Sequence, residues 1–104
     1  MSRVTKLNLT NDKPKIIINN DIELEIDDSK NNVLSLMDDI ESFNSEKEVI
    51  EGLSVKLFGE EGQKKIEELN LSISNYMTII INAMALILDV EVEEIDKLFR
   101  KSFE

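Results

Sequence analysis

Residues 57–66 read Leu57-Phe58-Gly59-Glu60-Glu61-Gly62-Gln63-Lys64-Lys65-Ile66. The chain holds only three glycines in 104 residues, and two of them stand here, separated by a pair of acids. Two structures use glycines this way: a loop that cradles phosphate, and a corner between helices. The stretch is neither G-x-G-x-x-G nor the eight-residue pattern ending in Gly-Lys-Ser/Thr, and Ile66 stands where that pattern needs a hydroxyl. No buried strand precedes it. Gly59 instead follows Leu57 and Phe58, where a helix ends in a left-handed residue. Glu60 and Glu61 then fall at the start of a following helix, where negative charge is favourable. The stretch reads as a helix corner.

Upstream of the corner, Ser45 and Glu48 have the spacing of a capping box. Val49, Ile50, Leu53 and Leu57 form the apolar stripe of the helix it opens. Gly52 lies inside that helix and weakens it by about 1 kcal/mol relative to Ala. Before it, Val33, Leu36, Met37, Ile40 and Phe43 share one helical face, and Asp27-Asp28-Ser29 supplies the cap. Earlier still, Ile16 to Ile18 is a β-branched run, and Ile22, Leu24 and Ile26 alternate with Glu23 and Glu25. Asn19-Asn20-Asp21 between them tolerates the left-handed backbone of a tight hairpin. Residues 1–13 are polar and read as a flexible segment, with Leu7 and Leu9 alternating as in a short strand.

Downstream, Ile66 and Leu69 face inward on a short helix that Asn70 ends, and Ser72 caps the next. In Tyr76 to Leu88, YMTIIINAMALIL, eleven of thirteen residues are apolar. A membrane span needs roughly 20, so this is read as a buried core helix. Glu91, Glu93 and Glu94 open a last helix with the stripe Ile95, Leu98, Phe99 and Phe103, and Arg100 and Lys101 suit its C-terminal end. The expected fold is α+β and predominantly α: an N-terminal β-hairpin (15–26) followed by a small bundle of four to five helices, at about 30–44, 46–58, 60–69, 73–88 and 91–103. Residues 14–104 make one domain, with no repeat or linker.

Composition limits the function. There is no cysteine and no histidine, which removes thiolate chemistry and the commonest general base and metal ligand. No pairing of the remaining groups suggests catalysis, so no enzyme and no cofactor are expected. The net charge of -10 repels nucleic acid and anionic membranes, whose binding needs clustered Lys and Arg. MSRVTKLNLT lacks the apolar run of a signal peptide, and a cytoplasmic location is expected.

The acids Asp89, Glu91, Glu93, Glu94 and Asp96 alternate in part, but no glycine supplies the turn of a calcium loop, and a solvated helix start explains them. Ser29 after two Asp residues is similar to the carrier serine of acyl carrier proteins, but Lys30 stands where that motif has Leu. Tyr76, Met77, Ile80 and Met84 on the long helix, and Leu98, Phe99 and Phe103 on the last, are either core or a groove for a partner helix.

Taken in order, Leu57-Phe58-Gly59-Glu60-Glu61, Lys65-Ile66-Glu67-Glu68-Leu69, Ser74-Asn75-Tyr76-Met77, Ala83-Met84, Glu93-Glu94-Ile95 and Phe99-Arg100-Lys101-Ser102-Phe103 resemble tail assembly chaperones of long-tailed bacteriophages and prophages of Gram-positive bacteria. The resemblance covers roughly residues 14 to 103, and the hairpin followed by helices agrees with it. It implies a cytoplasmic protein of the bacterial host, absent from the mature virion. Such a protein keeps the long helical tape measure protein soluble until tail tube subunits polymerise around it. It also implies, in many phages, a longer frameshifted form that recruits the tail tube protein, and it admits a homo-oligomer. The partner-binding residues would then be Tyr76, Met77, Ile80, Met84, Leu98, Phe99 and Phe103. The alternative is a small acidic regulator that binds a basic partner by charge mimicry.

Overall fold

The computed structural model describes residues 3–10 and 12–103. Met1, Ser2 and Asn11 of the segment expected to be flexible, and Glu104 of the expected domain, lie outside the described residues. The order of elements is β1 (Lys15–Ile18), β2 (Ile22–Glu25), α1 (Lys30–Asp39), α2 (Glu46–Glu68), α3 (Ile73–Leu88) and α4 (Val92–Phe103). This is the expected α+β, mostly helical architecture.

β1 and β2 pair antiparallel, with Ile16 opposite Leu24 and Ile18 opposite Ile22. The turn runs through Asn19 and Asn20, both at positive φ, closed by the Asp21 amide donating to Ile18 O at 3.2 Å. Positive φ at both central positions matches the right-handed twist of the strands. One face of the hairpin carries Ile16, Ile18, Ile22 and Leu24 into the core. The other carries Lys15, Ile17, Glu23 and Glu25 into solvent.

α2 is two helices in one element. At Gly59 the backbone takes φ 73° and ψ 173°. That combination lies outside the left-handed helical basin and is essentially restricted to glycine. The other described positive-φ residues, Asn19, Asn20, Asn70 and Asp89, are types whose short polar side chains tolerate the left-handed region. A chain sparing with glycine thus spends Asn and Asp on its ordinary left-handed turns and keeps Gly59 for the one corner they cannot make. Gly62 serves closeness instead: a Cβ there would lie 2.7 Å from Phe58 Cβ across the corner.

Breaking the helix frees the carbonyls of its first arm, and these must find donors. Leu57 O accepts from the Asp27 amide at 2.9 Å. Lys56 O accepts from Asn32 Nδ2 at 2.8 Å, and the same amide group also donates to Asp27 O at 2.8 Å. The junction between β2 and α1 is thereby fastened to the corner. Lys56 Nζ adds a bond to Ser35 Oγ at 2.9 Å and an ion pair with Asp39, tying α1 along α2.

Two details depart from the expected pattern. α1 ends at Asp39 rather than near residue 44, because the Ser42 amide and hydroxyl both take Asp39 O, at 2.9 and 2.6 Å. Of its expected face, Leu36 and Ile40 are buried, Val33 and Phe43 are half-buried, and Met37 is 50% exposed. Ser29 occupies the N-cap position of α1 but makes no side-chain cap bond. Asp27 Oδ1 accepts the Ser29 amide instead, at 3.1 Å. At α2 the first half of the expected box forms, with Ser45 Oγ accepting the Glu48 amide at 3.2 Å, while the Glu48 carboxylate reaches back past the N-cap to the Asn44 amide at 2.9 Å.

α3 is the centre of the molecule. Ser72 caps it by accepting the Asn75 amide at 3.1 Å, and Asp89 closes it in the left-handed conformation. Ile80, Ala83 and Met84 are fully buried between α2 and α4. α4 turns back at 116° to α3 and seats Ile95 and Phe99 in the same core. No single described helix is long and apolar enough to cross a membrane.

Candidate functional site

The seven residues singled out for partner binding fall in three places. Ile80 and Met84 are wholly buried in the central core. Tyr76 is buried on the flank of α3 that faces α2, where its hydroxyl meets Ser54 Oγ at 2.8 Å and Glu67 Oε1 at 3.2 Å. Burial pushes the Tyr76 phenol pKa up, because desolvation penalises the phenolate. Ser54 is fully buried, and this pairing satisfies it. Met77, Phe99 and Phe103 gather on the opposite flank, around a cleft of about 140 Å³ between α3 and α4. Leu98 stands outside, 40% exposed on α4. The stripes of α3 and α4 are therefore not separate surfaces. They pack on each other and leave one opening.

The cleft is built from three elements. α3 supplies Met77 and Ile81 to its wall and Ser74 and Thr78 to its rim. α4 supplies Phe99 and Phe103, with Asp96 and Arg100 at the edge, joined by a 2.8 Å ion pair one turn apart. Glu46, the first residue of α2, closes the third side. Apolar side chains beneath a polar mouth of two carboxylates and the Arg100 guanidinium can take an aliphatic or aromatic side chain whose neighbours are polar. The cleft's volume sets the scale of the guest at one side chain rather than a free ligand, since small-molecule sites run to several hundred Å³.

The rim could have been found in the sequence. Ser74, Thr78 and Asn82 recur at intervals of four through an otherwise apolar helix, and that stripe marks its solvent side. Thr78 Oγ1 bonds Ser74 O at 3.0 Å and Asn82 Nδ2 bonds Thr78 O at 2.8 Å, so these side chains are satisfied within the helix. Glu46 could not have been placed there, because only the fold brings α2's start to α4. Among the described residues, no three Asp or Glu side chains converge to hold a metal ion, the acids around residues 89–96 included. The sequence matches no protein-family model, and comparisons with curated proteins and with solved structures return no match.

Proposed function

We propose that this chain is a tail assembly chaperone that binds the tape measure protein and keeps it soluble during tail morphogenesis in the host cytoplasm. One observation carries the reading: the α3–α4 cleft, where Met77, Phe99 and Phe103 sit beneath a rim of Glu46, Asp96 and Arg100. A long helical client exposes apolar side chains at intervals, and a seat for one such side chain is what a transient binder offers. Met and Phe give the seat adaptable walls. The net charge of -10 keeps a complex with an apolar client in solution. The resemblance in order and spacing over residues 14 to 103 supplies the identity of the client. A tail tube partner would be recruited only by a longer frameshifted form.

The test is co-expression with the tape measure protein of the same genome, followed by pull-down at low and moderate salt. Soluble, retained tape measure protein at both salts is the expected result. An insoluble and unbound tape measure protein removes the reading. The acidic charge itself favours a second reading, a regulator that masks a basic protein. That reading requires binding that collapses between low and moderate salt, because exposed charges are screened within about 10 Å at 0.1 M.

A further inference from the structure

The hairpin has two open edges, and they differ. The Ile26 amide donates to Pro14 O at 2.9 Å. With the register of the strands, that bond makes Pro14–Ile26, Ile16–Leu24 and Ile18–Ile22 the hydrogen-bonded pairs. Pairs alternate along an antiparallel ladder, so Glu23 and Glu25 direct their N–H and C=O groups away from β1. Beside this edge runs an open groove between β2 and the second arm of α2. Its two parts measure about 480 and 430 Å³ and share Asp21, Glu23 and Lys65. Leu24 and Phe58 form its floor. Glu25, Glu61 and Glu68 add to its rim, so five carboxylates face the single ammonium of Lys65. On the β1 side the structure shows a further opening of about 390 Å³, but its lining of Asp12, Lys13, Lys15 and Glu25 balances two ammonium groups against two carboxylates, and Lys15 also pairs with Glu23 at 3.1 Å.

One segment of the chain is the complement. Residues 3–10, Arg3-Val4-Thr5-Lys6-Leu7-Asn8-Leu9-Thr10, carry two positive charges and no negative one. They form neither helix nor strand and are exposed throughout, with Val4, Leu7 and Leu9 at 76, 71 and 82%. The Cα radius of gyration is 15.6 Å with a longest extent of 60 Å, against about 13 Å for a compact chain of this length. The segment thus projects from the folded body. Its composition is that of a strand, with β-branched residues and alternating leucines.

We propose that residues 3–10 of one molecule add as a third strand to the outer edge of β2 in a second molecule. In that pairing Leu7 and Leu9 lie on one face and cover the floor at Leu24 and Phe58. Lys6 lies on the other face, beside the outward carboxylates of Glu23 and Glu25, where opposite charges across strands are favourable. The free N–H and C=O groups of Glu23 and Glu25 gain partners, and an open edge is closed. Exchange in both directions gives a twofold dimer. The donor is a second copy because the segment leaves its own hairpin on the β1 side. The acidic groove lies across both strands, on the β2 side.

Sedimentation equilibrium of the whole chain at low salt tests this, with two variants. Glu23→Pro removes one outward N–H that the hairpin itself does not use, a position where an edge strand tolerates proline. Leu7→Asp with Leu9→Asp changes side chains that support nothing in the single molecule. The wild type is expected to be a dimer. Each variant is expected to associate about tenfold or more weakly, with unchanged helical circular dichroism. Should Glu23→Pro lose helical signal, Glu25→Lys with Glu61→Lys replaces it and is expected to weaken association likewise. A monomeric wild type overturns the proposal, including one whose residues 3–10 are protected from amide exchange by docking on their own hairpin. A dimer that survives either change overturns it as well.

Discussion

At the Gly59 corner the chain is held by donors and acceptors: Asn32 bridging Asp27 O and Lys56 O, and the Asp27 amide on Leu57 O. Along α3 it is held by apolar contact, with one buried hydroxyl pair, Ser54 and Tyr76. The corner is partly exposed and depends on direction. The inner side of the α3 layer is buried and depends on volume. Each kind of bond suits its task. A corner must fix an angle, which hydrogen bonds do well at about 0.5–1.5 kcal/mol each. A central helix must anchor everything that touches it, and fully burying one large apolar side chain is worth about 1.5–3 kcal/mol.

If that contrast is right, the largest single loss comes from the layer. Phe99 is 1% exposed and fastens α4 to α3. Phe99→Ala is expected to cost about 3–5 kcal/mol, read from urea unfolding followed by circular dichroism. Its neighbour Leu98, 40% exposed, is expected to lose no more than about 1 kcal/mol on replacement by Ala. Equal losses at the two positions would show that α4 is not seated through Phe99. The pair also separates fold from binding: a change at Leu98 that abolishes client capture cannot be blamed on unfolding.

Next comes the corner's backbone. Gly59→Ala is expected to cost about 1–3 kcal/mol, the range for a residue forced into a sparsely populated conformation. The cost is local to the backbone, since beyond Gly59 and its two chain neighbours nothing lies within 4 Å of the added Cβ. Gly59→Asn should be no better, because asparagine's tolerance extends to the left-handed helical basin and not to ψ 173°. Asn70→Gly, at an ordinary left-handed position with φ 49°, should be close to neutral. If Gly59→Asn unfolds at the wild-type denaturant midpoint, the corner is not a glycine-only site.

How far these regions were legible in the sequence follows from the same contrast. Periodicity reports volume, so the helices about Leu53, Ile80 and Ile95 were readable in type and nearly in extent. Turn chemistry reports backbone sign, so the hairpin at Asn19-Asn20 and the corner at Gly59 were readable too. Direction-dependent bonds between distant residues leave no period. Nothing marks Asn32 as the side chain that closes the corner, or Ser42 as the group that stops α1 at Asp39. Gly52 read as a local weakness because the reason for it is remote. A Cβ there would come within 2.5 Å of Phe43 Cε1, so the glycine makes room for a ring from the preceding loop. The candidate site divided in the same way. Met77, Phe99 and Phe103 were found by their apolar spacing, while Glu46 was invisible until the fold brought α2's first residue to the cleft.

The clamp itself is the third step down. Asn32→Ala leaves Asp27 O and Lys56 O without their amide partner in a partly buried place. About 1–2 kcal/mol is expected from two such bonds. Asn32→Asp should lose at least as much, because a carboxylate cannot donate to either carbonyl. A native-like midpoint for Asn32→Asp would mean that solvent, not the side chain, satisfies the corner.

The smallest effect belongs to Asp27, and it appears only in acid. The amide of Ser29 donates to its Oδ1 at 3.1 Å, and this bond, with a further contribution from the Ser29 hydroxyl, holds the carboxyl pKa below its ordinary value. A depressed folded-state pKa adds stability that is complete above the unfolded-state value, about 3.9. That stability fades as pH falls through the lower, folded-state value, because protons then bind the unfolded chain first. Between neutral pH and about 5 no change is therefore expected from this group. Below about pH 4 the wild type should lose stability slightly faster than Asp27→Asn, whose amide oxygen still accepts the Ser29 bond but carries no charge to neutralise. Parallel acid limbs in the two proteins would show that the carboxylate contributes by geometry alone. The tie between β2, α1 and the corner would then depend on the Asp27 backbone, whose amide and carbonyl already bond Leu57 and Asn32.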